Sequence, residues 1–212
     1  MKFRVLIGML VVGLAVSASV AMGNLITDGS FEAASITGAW TIDGGTGYTH
    51  AKDWGWAHDG NNMVGMWWWG NIYQDFSATA GSGEYGASIA TFLPGEDYAS
   101  GGVYGFIQLQ WVNSSGDWLE NAWQYSFSSD GAAGSQVHAL NSWIVVNTPD
   151  EYTPHADAAY GRIIVGINNN GSGGGRVYYD SVTLNVIPEP AAVALLGIGG
   201  LMAVALRRKT RK

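Results

Sequence analysis

The 212-residue chain has no cysteine. That rules out disulfides, zinc–thiolate and iron–sulfur centres and thiol nucleophiles, so the fold must stand on a packed core, with or without a metal ion. Basic residues are scarce away from the ends. Of ten Lys and Arg, only Lys52, Arg162 and Arg176 fall within residues 24–187, where sixteen of the seventeen acids lie, giving that stretch a net charge of −13. A domain of this sign repels nucleic acid and anionic headgroups. Helical periodicity of apolar residues is hard to find between Asn24 and Ile187. Gly-x-Ser-x-Gly and His-Glu-x-x-His stretches are missing too. His50, His58, His138 and His155 are scattered, and the neighbouring Glu96 and Asp97 cannot face one another across a sugar bond as glycosidase carboxyls do. The chain therefore reads as a non-enzyme.

What is present is most specific at the two ends. Lys2 and Arg4 precede an apolar run, Val5 to Val16, and the small residues Ser17 to Ala21 follow. This is the order of a secretory signal, a helix over 1–23 cleaved between Ala21 and Asn24. At the other end Pro188-Glu189-Pro190 leads into an apolar segment, Ala191 to Leu206, closed by Arg207, Arg208 and four further residues, three of them basic. As a helix, residues 191–206 rise about 24 Å, short of a hydrocarbon core of about 30 Å, and the flanking arginines snorkel to close the gap. The positive end stays cytoplasmic.

This tail, residues 188–212, resembles the PEP-CTERM sorting signal of Gram-negative bacteria in triplet, apolar helix and Arg-rich end. The resemblance implies an exported protein held in the inner membrane by a transmembrane helix over 191–206, then processed near the triplet by an exosortase. It also implies delivery to the cell surface or extracellular matrix of an exopolysaccharide-making bacterium.

Residues 24–187 are one domain's length. Short apolar or alternating runs separated by Gly, Asn, Asp and Ser predict an all-β sandwich. Strands are expected near 25–26, 62–69, 72–77, 84–92, 103–112, 122–128, 139–147, 158–168 and 176–185, with a loop over 38–47. The clearest alternation puts Ile107, Leu109 and Trp111 on one face and Gln108 and Gln110 on the other. The opening Asn24-Leu25-Ile26-Thr27-Asp28-Gly29-Ser30-Phe31-Glu32 and the closing Val177-Tyr178-Tyr179-Asp180-Ser181-Val182-Thr183-Leu184 resemble the first and last strands of the galactose-binding-like jelly rolls. The likeness is greatest to the family 4 and 9 carbohydrate-binding modules. The resemblance implies a jelly-roll β-sandwich whose terminal strands lie side by side and which binds polysaccharide without catalysis. It also implies a structural calcium site, with carboxylates from Glu32 and Asp180, the Ser30 carbonyl and an oxygen from Asp59 or Asn62 as ligands.

All ten tryptophans fall inside the domain. If residues 62–69 form one strand, Trp67 and Trp69 share a face opposite Trp68, Val64 and Met66. Trp67 and Trp69 then form a platform for flat sugar rings, with Gln108 and Gln110 offering donors and acceptors to hydroxyls. Tyr73, Tyr104 and Trp123 are further candidates, while Trp111 and Trp143 are expected in the core. Two other functions stay open: a structural matrix or surface protein without sugar specificity, and a polysaccharide hydrolase or lyase on the same fold.

Overall fold

In a computed structural model, residues 24–44, 48–52, 55–170 and 173–187 are described, 48–52 by backbone only. The signal segment, Trp54 and the sorting tail, with its 191–206 span, lie outside the described residues. Eleven strands run in chain order: β1 Thr41–Asp43, β2 Tyr48–Lys52, β3 Asn62–Trp67, β4 Gly70–Phe76, β5 Glu84–Phe92, β6 Val103–Val112, β7 Trp118–Ser128, β8 Gln136–Val137, β9 Trp143–Asn147, β10 Tyr160–Asn169 and β11 Arg176–Ile187. They form two sheets, ordered β1-β4-β10-β6-β7-β8 and β2-β3-β11-β5-β9. Among the described residues the only helical turns are two 3-10 turns, Ile36–Gly38 and Ala132–Gly134.

The strands form where side chains alternate between core and solvent. In β6 burial alternates residue by residue from Val103 to Gln110, with Ile107, Leu109 and Trp111 inward. β4 turns Ile72, Gln74 and Phe76 inward, and β10 turns Ile163, Val165 and Ile167 inward. The other sheet supplies Val64, Met66, Tyr85, Ile89, Val177, Tyr179, Val182 and Leu184 to the same core. Trp111 sits edge-on to Tyr85 at 5.5 Å and to Phe76 at 6.2 Å, in the core as expected. Gln74, though buried, is satisfied. Its Oε1 accepts from Thr27 N at 2.7 Å, and its Nε2 donates to the carbonyls of Thr27 and Ala39.

The opening segment lies against the closing strand. Leu25 N donates to Leu184 O at 2.9 Å, Val182 N to Gly29 O at 2.8 Å, and the Asn24 side chain bonds both Val182 O and Leu184 N. A Cβ on Gly29 would stand 2.0 Å from Val182 O, so this approach requires glycine.

Several expected strands differ. Residues 25–26 form a bend, followed by a turn over 27–30, rather than a strand. The expected loop at 38–47 contains β1, a three-residue edge strand whose Thr41, Ile42 and Asp43 pair with Tyr73, Ile72 and Asn71. β7 begins at Trp118, four residues before the expected start, and β9 begins only at Trp143. The expected 62–69 strand ends at Trp67. Trp68, at φ 73°, and Trp69 form the turn that carries the chain from β3 in one sheet to β4 in the other.

Candidate functional site

The outer face of the six-stranded sheet carries an ordered polar and aromatic surface. Backbone register sets it out in rows that cross β4, β10, β6 and β7. One row is Asp75, Arg162, Gln110 and Asn121; the next is Tyr73, Ile164, Gln108 and Gln124. Four strands span about 14 Å at ordinary interstrand spacing. A third row, Tyr160, Val112 and Trp118, borders them, and Trp118 is 61% exposed.

Arg162 organises one half of the face. Its Nε donates to Asp75 Oδ1 at 2.6 Å and its terminal NH2 group to Asp75 Oδ2 at 3.0 Å. The guanidinium lies 3.9 Å from the centre of the Tyr73 ring and 5.9 Å from that of Tyr160. The hydrogen bonds to Asp75 push the Arg162 pKa up, so it stays charged, and the carboxylate cancels that charge locally. The other half is a net of amides. Gln110 Nε2 donates to Gln108 Oε1 and Asn121 Oδ1, while Gln108 Nε2 and Asn121 Nδ2 both donate to Gln124 Oε1. Gln110 Oε1 and Gln124 Nε2 are left without a partner among the described residues, one as acceptor and the other as donor.

The structure brings together Tyr73, Gln108 and Gln110 of the expected ligand residues and separates the others. Trp67 ends β3, opposite Arg176, so it belongs to the other sheet. Trp69 lies in the turn, its ring against Gly44, where an added Cβ would be 2.7 Å from Cζ3. The alternation expected of residues 62–69 fails because the chain changes sheets at Trp68, which is 60% exposed instead of following Val64 and Met66 inward. Trp123 is corrected as well. It pairs with Leu109, and cross-strand partners share a face, so it is buried in the core at 8% exposure. Trp143, expected in the core, stands on the outer face of the five-stranded sheet beside Phe92. Asp75, Tyr160, Arg162, Trp118, Asn121 and Gln124 were not singled out from sequence. The outward alternation of β4 and β10 is a signal that could have found the first three.

Glu32, Asp59, Asn62 and Asp180 gather around one loop. Asp180 Oδ2 accepts from His58 N at 2.8 Å and Asp59 N at 2.9 Å, and its Oδ1 from Ser181 N at 2.6 Å. Glu32 Oε1 accepts from Asn61 N at 2.8 Å and Asn62 N at 2.6 Å, and Asn62 Nδ2 reaches Glu32 Oε2 at 3.3 Å. Gly60, at φ 69°, lets the loop close on Glu32. Ser30 is half-buried in the turn two residues before Glu32.

Burial pushes Asp180 up to about 6 despite its three amide donors, and among the described residues no Lys or Arg pairs with it. A buried carboxylate without a counter-cation, bonded to the same loop as a second carboxylate, Glu32, fits an oxygen-preferring cation. Among the described residues no three His, Asp or Glu side chains cluster as metal ligands. A cation here would thus rest on Glu32 and Asp180 with the Ser30 carbonyl and an oxygen from Asp59 or Asn62, a donor set that suits calcium and not zinc.

Comparison with known proteins bears on both parts of the chain. Residues 186–209 match the PEP-CTERM protein-sorting motif. A search of curated protein sequences gives no match. The fold is similar to a family 61 carbohydrate-binding module solved with β-1,4-galactotriose (14% identity, TM-score 0.50, 77% of this chain and 99% of that one). It is similar to the C-terminal family 22 carbohydrate-binding module of Clostridium thermocellum Xyn10B (17% identity, TM-score 0.51, 74% and 91%). It is also similar to a xylan-binding domain of family 22 (17% identity, TM-score 0.52, 78% and 96%). The chain carries a PEP-CTERM protein-sorting motif, which implies export and membrane anchoring before exosortase cleavage, behind a β-sandwich with the fold of carbohydrate-binding modules.

Proposed function

We propose that the sandwich binds polysaccharide without catalysis, through the outer face of its six-stranded sheet. The observation that carries this reading is the juxtaposition of Tyr73, stacked under Arg162, with the amide net of Gln108, Gln110, Asn121 and Gln124 in adjoining rows. Sugar rings stack their C–H faces on aromatic rings and exchange hydrogen bonds with amides through their hydroxyls. Tyr73 and Tyr160 supply the rings; Gln110 Oε1 and Gln124 Nε2 supply an acceptor and a donor. Asp75 cancels the charge of Arg162, and the domain as a whole is strongly acidic, so the face favours a neutral glycan over a polyanion.

Calcium belongs to the same proposal as a structural ion. Glu32 and Asp180 would hold it, and it would supply the counter-charge that Asp180 lacks. The tail supports delivery by an exosortase to the cell surface or matrix of a Gram-negative bacterium, where an acidic, neutral-glycan-binding domain would meet exopolysaccharide.

The test is affinity electrophoresis of the full-length chain in mild detergent, in gels containing soluble xylan or β-1,4-galactan. The wild type is expected to be retarded, and a Tyr73→Ala/Gln110→Ala double variant to migrate as in a plain gel. Equal retardation of the two proteins would remove the outer face from the reading.

A further inference from the structure

We propose a second carbohydrate site, on the outer face of the five-stranded sheet, which would make the domain bivalent. A recess of about 410 Å³ is lined there by Trp56, Phe92, Pro94, Asn141 and Trp143. It lies within the size range of small-ligand pockets. Its walls are aromatic and fixed relative to one another. Phe92 lies 4.8 Å from Trp56 and 5.2 Å from Trp143 between ring centres, and Trp143 Nε1 donates to Trp56 O at 2.8 Å. Behind them, Tyr178 meets Trp56 edge-on at 5.1 Å, and the His58 ring leans edge-on against Trp143 at 5.5 Å. Indole walls locked in this way lose little rotamer freedom when a ligand enters, so their stacking energy goes into affinity.

The occupant follows from the lining. No residue of the lining is charged, which disfavours an anionic or cationic group. Asn141 is held by its Oδ1, which accepts from Gly95 N at 2.6 Å, and its Nδ2 keeps its donors for a ligand. Aromatic walls with a single fixed amide at the rim suit one neutral pyranose ring, with C–H faces against the indoles and a hydroxyl at Asn141. The site shares only its ligand class with the face of the six-stranded sheet, and the two belong to different sheets. One domain would then hold two polysaccharide strands and cross-link them.

Calorimetric titration of the full-length chain with β-1,4-galactotriose and with soluble xylan fragments separates the sites. The expected result is two sites in the wild type. One should be lost in Tyr73→Ala and the other weakened at least tenfold in both Trp143→Ala and Asn141→Ala, with thermal melts checking that each variant folds. Asn141 is exposed, so its variant keeps the test valid if Trp143→Ala fails to fold. A single site in the wild type that Asn141→Ala leaves untouched overturns this proposal and leaves the six-stranded face standing. A single site lost in Asn141→Ala and kept in Tyr73→Ala supports the recess but removes the six-stranded face and overturns the bivalence.

Discussion

The guanidinium of Arg162 lies over the Tyr73 ring, its carbon 3.9 Å from the ring centre, while gripping Asp75 through two hydrogen bonds. The three side chains come from two adjacent strands, and each restricts the others. Tyr73 is thereby held as a rigid surface, with Arg162 as its positioning residue.

Arg162→Lys keeps the charge and removes both the planar stack and the two-pronged grip. Polysaccharide affinity is expected to fall about twofold to fivefold, in line with about 0.5–1 kcal/mol for a partly exposed cation–π contact. The melting temperature should hold within a few degrees, because the ion pair is partly exposed and adds little stability. An affinity equal to wild type in the retardation gel would show that Tyr73 needs no such support.

Tyr179 links the two sheets. From β11 its hydroxyl accepts from Phe106 N and donates to Gly166 O on the opposite sheet. Full burial pushes its pKa far up, so it stays neutral. Tyr179→Phe leaves those backbone groups without their partner and is expected to cost about 1–3 kcal/mol in urea unfolding, with glycan binding unchanged in folded protein. A change below the error of the measurement would mean that water or neighbouring strands replace the hydroxyl.

His138 is buried, stacked on Phe127 at 4.6 Å, with Nε2 bonded to Tyr125 and Nδ1 3.4 Å from Thr91 Oγ1. Burial drives its pKa down to about 4 from an ordinary 6.5. Between these values the unfolded chain binds a proton that the native chain does not, so stability is full above pH 6.5 and is lost as pH falls toward 4, by about 3 kcal/mol at most. Asp180, raised to about 6, acts in the opposite sense, its native proton favouring the fold below that pH. The difference between the stability–pH curves of the wild type and His138→Gln isolates the histidine, and parallel curves would exclude it.

Calcium, if held by Glu32 and Asp180, raises the melting temperature when added and lowers it when chelated. Glu32→Gln and Asp180→Asn are expected to abolish that shift. Identical midpoints with calcium and with chelator in the wild type would assign both carboxylates solely to the backbone amide hydrogen bonds they accept from the 58–62 loop and Ser181.

Local geometry made part of the fold legible in advance. β5 and β6 run over the residues expected of them, and Ile107, Leu109 and Trp111 face inward with Gln108 and Gln110 outward, because side chains alternate along any extended chain. The opening turn and closing strand meet where their motifs imply, through Gly29 and Val182. The tail was equally readable, since a triplet, an apolar run and a basic end are properties of the linear sequence.

Tertiary structure alone decided which strands lie side by side and in what register. Nothing in the spelling of Trp67-Trp68-Trp69 says that the chain leaves one sheet for the other there, and that crossing parts Trp67 from Gln108. Trp123 is buried because β7 pairs it with Leu109, and Arg162 meets Tyr73 and Asp75 because β10 lies against β4. Alternation is covalent and local; pairing depends on contacts between residues many tens of positions apart, and so the face was assembled only when the sheets closed.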